Sequence, residues 1–156
     1  MTTSYIHASC VELKGRGLLI RGQAGSGKSS FALSLINRGF KLVADDLVHI
    51  FSEKDQLIAQ PAKPLKGLLE VRGIGIIQLM STQYCMVDYI VDLVPGIRTE
   101  RLPELKTTDI QDIPVRSFRI NPTDPYATEK ALILFHQDFL GFHEHQQNEL
   151  MELKAS

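Results

Sequence analysis

The eight consecutive residues Gly22, Gln23, Ala24, Gly25, Ser26, Gly27, Lys28 and Ser29 fit the pattern GxxxxGK[ST]. The chemistry such a run serves is the grip of a polyphosphate. Backbone N–H groups of a tightly bent loop point inward at anionic oxygens, and the amino end of the following helix adds partial positive charge. Lys28 would set its ammonium on the β and γ phosphates, and the Ser29 hydroxyl would ligate the magnesium that bridges them. ATP and Mg2+ are therefore the ligands to expect. At average residue frequencies the pattern arises by chance in about one chain in two hundred of this length, so the flanking context must decide, and an apolar run before it with helical spacing after it supplies that context.

Sites of this kind also need a carboxylate at the end of an apolar strand, and Leu42-Val43-Ala44-Asp45-Asp46 has that form. The pair arrives on the strand immediately after the loop's helix. One carboxylate would serve metal or hydrogen bonding and the other would take a proton from an attacking hydroxyl, because adjacent strand residues face opposite ways. The plainer alternative is a pair that opens the next turn. The run Leu68 to Ile77 reads as one apolar strand carrying Glu70, Arg72, Gly73 and Gly75. Charges buried in such a strand are tolerable only when paired or metal-bound, and the glycines would admit a ligand or another backbone. His7 taken alone reads as a half-buried histidine. His143 and His145, two apart, fall on different sides of a helix and make no metal site.

The elements that must position these residues follow from periodicity and punctuation. Tyr5 to Leu13 alternates, Lys14 to Gly17 turns, and Leu18-Leu19-Ile20 returns, which predicts a hairpin. From Lys28 the apolar Phe31, Leu33, Leu35 and Ile36 predict a helix stopped at Gly39, and Phe40 to Ala44 predicts the strand that completes a βαβ start. Leu47–Phe51 and Gln56–Ala59 flank a polar turn, Met86–Val94 and Val115–Ile120 read as strands, and Pro95–Asp112 reads as a polar stretch with few anchors. Asp124 before Pro125 predicts a helix cap, with Ala131, Leu132, Leu134, Phe135, Phe139 and Leu140 as the buried stripe. Gly141 would interrupt that helix, leaving His143 to Ser156 as a solvated or subunit-docking tail.

The whole, 156 residues with 44% apolar and 22% charged side chains, predicts a single α/β domain over 1–156: a mixed sheet, a P-loop helix and a C-terminal helix. Lys and Arg total 17 against 18 Asp and Glu, so no broad positive field exists to hold nucleic acid, and Tyr84, Tyr89 and Tyr126 are not interleaved with basic residues. Neither a secretory leader nor a run of about 18 apolar residues is visible, which predicts a cytoplasmic protein without a membrane partner. Cys10 and Cys85 lack CxxC spacing and read as small buried apolar residues.

On the ordered set His7, Gly22 to Ser29, Arg38-Gly39, Ala44-Asp45-Asp46 and Leu68 to Ile77, the chain resembles the catalytic domain of HPr kinase/phosphorylase, in its short proteobacterial form. The resemblance implies a fold related to phosphoenolpyruvate carboxykinase, HPr as the protein acceptor and a hexameric homo-oligomer. It also implies an ATP-dependent serine kinase that can phosphorolyse seryl-phosphate. It makes Asp46 the proton acceptor, puts Ser29 and Glu70 on magnesium, and completes the active site with Lys28 and His7. Arg101, in Glu100-Arg101-Leu102, matches an arginine that would balance charge on the transferring phosphoryl group. The likeness to the short form implies a member without the separate N-terminal domain of the longer ones, and two departures stand out: Ser30 after the loop where the family commonly has Glu, and Phe118 in place of a glycine in the segment Pro114 to Arg119. That segment serves dephosphorylation in the family, so the resemblance carries the kinase direction further than the reverse. A small-molecule kinase and a nucleotide-sensing module without turnover are the other readings of the same loop.

Overall fold

The computed structural model describes residues 3–63, 67–136 and 152. The chain enters as β1 (Thr3–Ile6), bends at His7-Ala8 and continues as β2 (Ser9–Leu13). Lys14 and Gly15, both at positive φ, turn it back into β3 (Arg16–Arg21), the two-residue loop whose twist suits paired strands. Then comes α1 (Lys28–Ile36), closed at Gly39 (φ 103°), where the Phe40 N–H reaches back to the Leu35 carbonyl at 3.2 Å. Next, β4 (Lys41–Ala44) lies antiparallel to β2. The expected βαβ unit is therefore present, but with β2 inserted between its two parallel strands.

A second hairpin, β5 (Val48–Glu53) and β6 (Gln56–Pro61), turns over Lys54-Asp55. The run expected to be one strand is instead a small separate sheet, β7 (Leu68–Val71) against β8 (Gly75–Gln78). Positive φ at Gly73 and Gly75 and an Ile74 N–H bond to the Val71 carbonyl make the turn, so these glycines reverse the chain rather than admit a neighbour. After β9 (Cys85–Leu93), the stretch read as polar with few anchors contains β10 (Lys106–Ile110), which pairs with β11 (Ile113–Ile120). Its polar composition hid it because it has a neighbour on one side only. Asp124 caps α2 (Ala127–His136) as expected, its Oδ1 accepting the Tyr126 N–H at 2.8 Å. The stripe at Phe139 and Leu140, Gly141, and His143 and His145 lie outside the described residues, as does the rest of the tail apart from Glu152.

Nine strands share one sheet, with path order β1-β5-β6-β9-β3-β2-β4 and β11 and β10 branching from β9. In a flat sheet β1 and β2 would stand about 24 Å apart at ~4.8 Å per strand, yet the two residues joining them reach at most about 11 Å. The sheet must therefore curl until its ends meet. Gln111, at the β10–β11 turn, ties the branch across this curl, its Nε2 donating to Ser4 Oγ and the Ile50 carbonyl at 3.0 and 3.1 Å. Alternation along β3 divides the core: Leu18 and Ile20 pack under α1 and α2 with Phe31, Leu35, Leu69 and Phe135, whereas Leu19 faces Ile50, Leu57, Ile90 and Val115 inside the curl. On that inner side the buried Cys10 and Cys85 thiols meet at 3.7 Å, and the bare Gly17 of β3 leaves the room: a Cβ there would lie 2.5 Å from Cys85 Sγ. Both cysteines are thus buried, as the sequence suggested. Among the described residues no helix is long and apolar enough to cross a membrane.

Candidate functional site

The glycine-rich loop leaves the sheet where Arg21 is held by two hydrogen bonds to Asp92 of β9, at 2.8 and 3.1 Å. The Ser26 N–H closes onto the Gln23 carbonyl at 2.9 Å, and Gly25 and Gly27 take the positive φ values of 81° and 97° that side chains resist. Gly22 is required for a different reason. A Cβ there would sit 2.3 Å from Ser26 Oγ and 3.2 Å from the Leu93 carbonyl, so the loop can fold over its own start only on a bare backbone. Lys28 arches back, Nζ donating to the carbonyls of Gly22 and Gln23 at 3.0 and 3.3 Å. The ammonium thus stands over the loop it would share with phosphate oxygens. Gln23, Ala24 and Gly25 are exposed, while Ser26 is buried beneath them with no partner for its hydroxyl among the described residues.

At the end of β4 the adjacent aspartates separate. Asp45 is half-buried, and its Oδ1 accepts from both Ser29 Oγ and Ser9 Oγ, each at 2.8 Å. Asp46 is exposed, with φ 68°. The difference does not follow strand alternation as expected, since β4 ends at Ala44; Asp46 instead takes a left-handed backbone. The Asp46 carbonyl accepts the Ala8 N–H at 3.2 Å, which brings the exposed His7 bend to the same corner. Ser9, fully buried, is the member that sequence reasoning missed. Its only signal was a hydroxyl at the head of a buried strand, which nothing local ties to the loop.

Other anticipated residues stand apart. Glu70 and Arg72 are exposed rather than buried in a strand, and Glu70 has no hydrogen bond or ion pair among the described residues. Beside it Leu69 is buried among Phe31, Ala32 and Leu35, which holds the hairpin against α1. Arg101 is exposed between β9 and β10, on the wall of a cavity of about 780 Å³ bounded by β10, β11 and α2. For magnesium, the Ser29–Asp45 pair offers a hydroxyl and a carboxylate, the oxygen donors of a hard cation that takes its remaining ligands from phosphates and water. This donor set fits Mg2+.

Comparison with known proteins gives two results. A family model described as the HPr Serine kinase C-terminal domain matches residues 1–94. That span runs from β1 through β9, so it includes the loop, both aspartates and the β7–β8 hairpin, and stops before Arg101. Among solved structures the chain is similar to the HPr(Ser) kinase/phosphatase from Coxiella burnetii, at 27% identity and a TM-score of 0.74, covering 85% of this chain and 95% of that one. The curled mixed sheet with its C-terminal helix is the architecture the two share.

Proposed function

The chain belongs to the HPr serine kinase C-terminal domain family, and from that premise we propose that it is an ATP-dependent protein-serine kinase whose acceptor is HPr. Phosphorolysis of seryl-phosphate would be the reverse traffic through the same site. The observation that carries this reading is the division of labour at the end of β4: Asp45 is engaged by Ser29 and Ser9, while the neighbouring Asp46 carboxylate is exposed and has no partner among the described residues.

The loop N–H groups and Lys28 bind and orient the triphosphate, and the fixed loop removes the entropy of positioning it. Ser29 and Asp45 would hold Mg2+ with Glu70 as a further ligand, and the ion would neutralise charge on the β and γ oxygens. Asp46 takes the proton of the incoming seryl hydroxyl as its oxygen bonds to the γ phosphorus and the bond from that phosphorus to the β–γ bridging oxygen breaks. His7 stands at the same corner to orient the acceptor or share the proton, and Arg101, on the wall of the cavity beyond β9, would add positive charge to the polyphosphate from that side.

The test is transfer of radiolabelled γ-phosphate from Mg·ATP to purified HPr. Phosphoserine that disappears in Asp46→Asn supports the proposal. Label on a small molecule instead would identify a small-molecule kinase, and nucleotide binding without any transfer would identify a sensing module; either defeats the HPr assignment.

A further inference from the structure

Strands β4, β3, β9 and β11 run parallel to one another, so their carboxyl ends lie along one rim. The rim is the usual place for a ligand in such a sheet. In strand order the Asp45–Ser29 corner is on the β4 flank, the phosphate loop rises from β3, and the cavity bounded by β10, β11 and α2 opens on the β9–β11 flank. A nucleotide lying across the loop with its last phosphate at Ser29 and Asp45 would bring its other end toward the β9–β11 flank.

We propose that the cavity receives the nucleoside half of the nucleotide, with Phe118 as the face on which the base rests. The inference rests on reading the loop as the triphosphate site. Three observations make loop and cavity continuous. Asp92, which lines the cavity, holds Arg21 immediately before Gly22. The Val94 N–H donates to the Ile120 carbonyl at 2.9 Å, joining the ends of β9 and β11, and Pro122 of the next loop stands 3.9 Å from where a Cβ on Gly27 would be. The lining also has the right chemistry. Its walls combine apolar Ile97, Leu102, Phe118 and Leu134 with exposed Arg98, Lys106 and Arg119, which suits a flat apolar ring joined to an anion. Of its carboxylates, Asp92 and Asp124 are occupied by Arg21 and Lys130, and Glu100 and Glu104 are left as acceptors for ribose hydroxyls or an amino group. The volume of about 780 Å³ lies in the range of small-molecule sites.

Calorimetry of the full chain with Mg·ATP and with magnesium tripolyphosphate separates the two halves. The expected result is ATP binding at least tenfold tighter than tripolyphosphate, with Phe118→Ala weakening ATP about tenfold and leaving tripolyphosphate within twofold. Phe118 packs on Tyr89, so the exposed Ile133→Ser on the α2 wall serves as a second variant with no core to disturb, and it should weaken ATP several-fold alone. Equal affinities for ATP and tripolyphosphate, or ATP affinity unchanged in Ile133→Ser, overturn the proposal with the loop assignment intact. No heat with tripolyphosphate defeats the loop assignment itself, and the inference with it.

Discussion

The β4 corner and the β7–β8 hairpin both carry acids assigned to one reaction, yet they are built in opposite ways. At the corner, Asp45 is fixed by two hydroxyls, one from β2 and one from α1, and the Ala8 N–H holds the backbone of Asp46. At the hairpin, Glu70 projects from a two-stranded sheet outside the main one, secured chiefly by Leu69, with Ile74, Ile76 and Met80 each more than 70% exposed on its outer side. A group that must meet a proton at one place needs a preorganised mount. A group that binds through a metal and its water shell tolerates a looser one. On the proposed reading, the difference separates the part that would fix the chemistry from the part that would complete it around a nucleotide.

Four changes break or sharpen that contrast. Asp46→Asn should cost the most, roughly 10² to 10⁴ in the rate of transfer, with unchanged thermal stability, because Asn accepts the left-handed backbone as readily as Asp. A rate within threefold of wild type would remove Asp46 from the mechanism. Leu69→Ala should destabilise by about 2–5 kcal/mol in urea unfolding and loosen the hairpin first, seen as faster amide exchange in 68–78 than at the corner; uniform loss of protection would show that the two regions unfold together. Gly22→Ala comes next, at roughly 1–3 kcal/mol of overpacking, and tripolyphosphate affinity should fall with it; full affinity would mean the Ser26 side chain can step aside. Glu70→Gln should be the mildest, raising several-fold the magnesium needed for half-maximal transfer while leaving the melting temperature alone, since surface replacements stay within about 0.5 kcal/mol. An unchanged magnesium curve would leave the metal to Ser29 and Asp45.

How much of this was legible follows from where the information resides. The tight bend of the Gly22–Ser29 loop could be read directly because its backbone demands glycine at fixed offsets within consecutive residues. The α2 cap was legible for the same reason, as Asp124 reaches only two residues onward. The partner of Ser29 was narrowed to a pair but not chosen, because the choice depends on φ at Asp46, and an aspartate does not announce a left-handed backbone. Leu68 to Ile77 misled because an uninterrupted apolar run resembles one buried strand; Gly73 and Gly75 were seen but given the wrong task. Ser9 and the insertion of β2 into the βαβ unit were hidden entirely, since each depends on β2 pairing with β4, a strand that follows only after β3 and α1 in the chain.

The two thiols facing each other across Gly17 also provide a clock. They are the chain's only cysteines, both are fully buried, and the bond to Cys85 together with burial pushes the Cys10 thiol well above its ordinary pKa. In the folded sheet neither thiol is open to an alkylating reagent. Modification therefore awaits separation of the strands that cover them, and at saturating reagent its rate reads how often the domain opens. Slower labelling on adding nucleotide would measure, without any enzyme assay, how firmly the ligand keeps the domain shut.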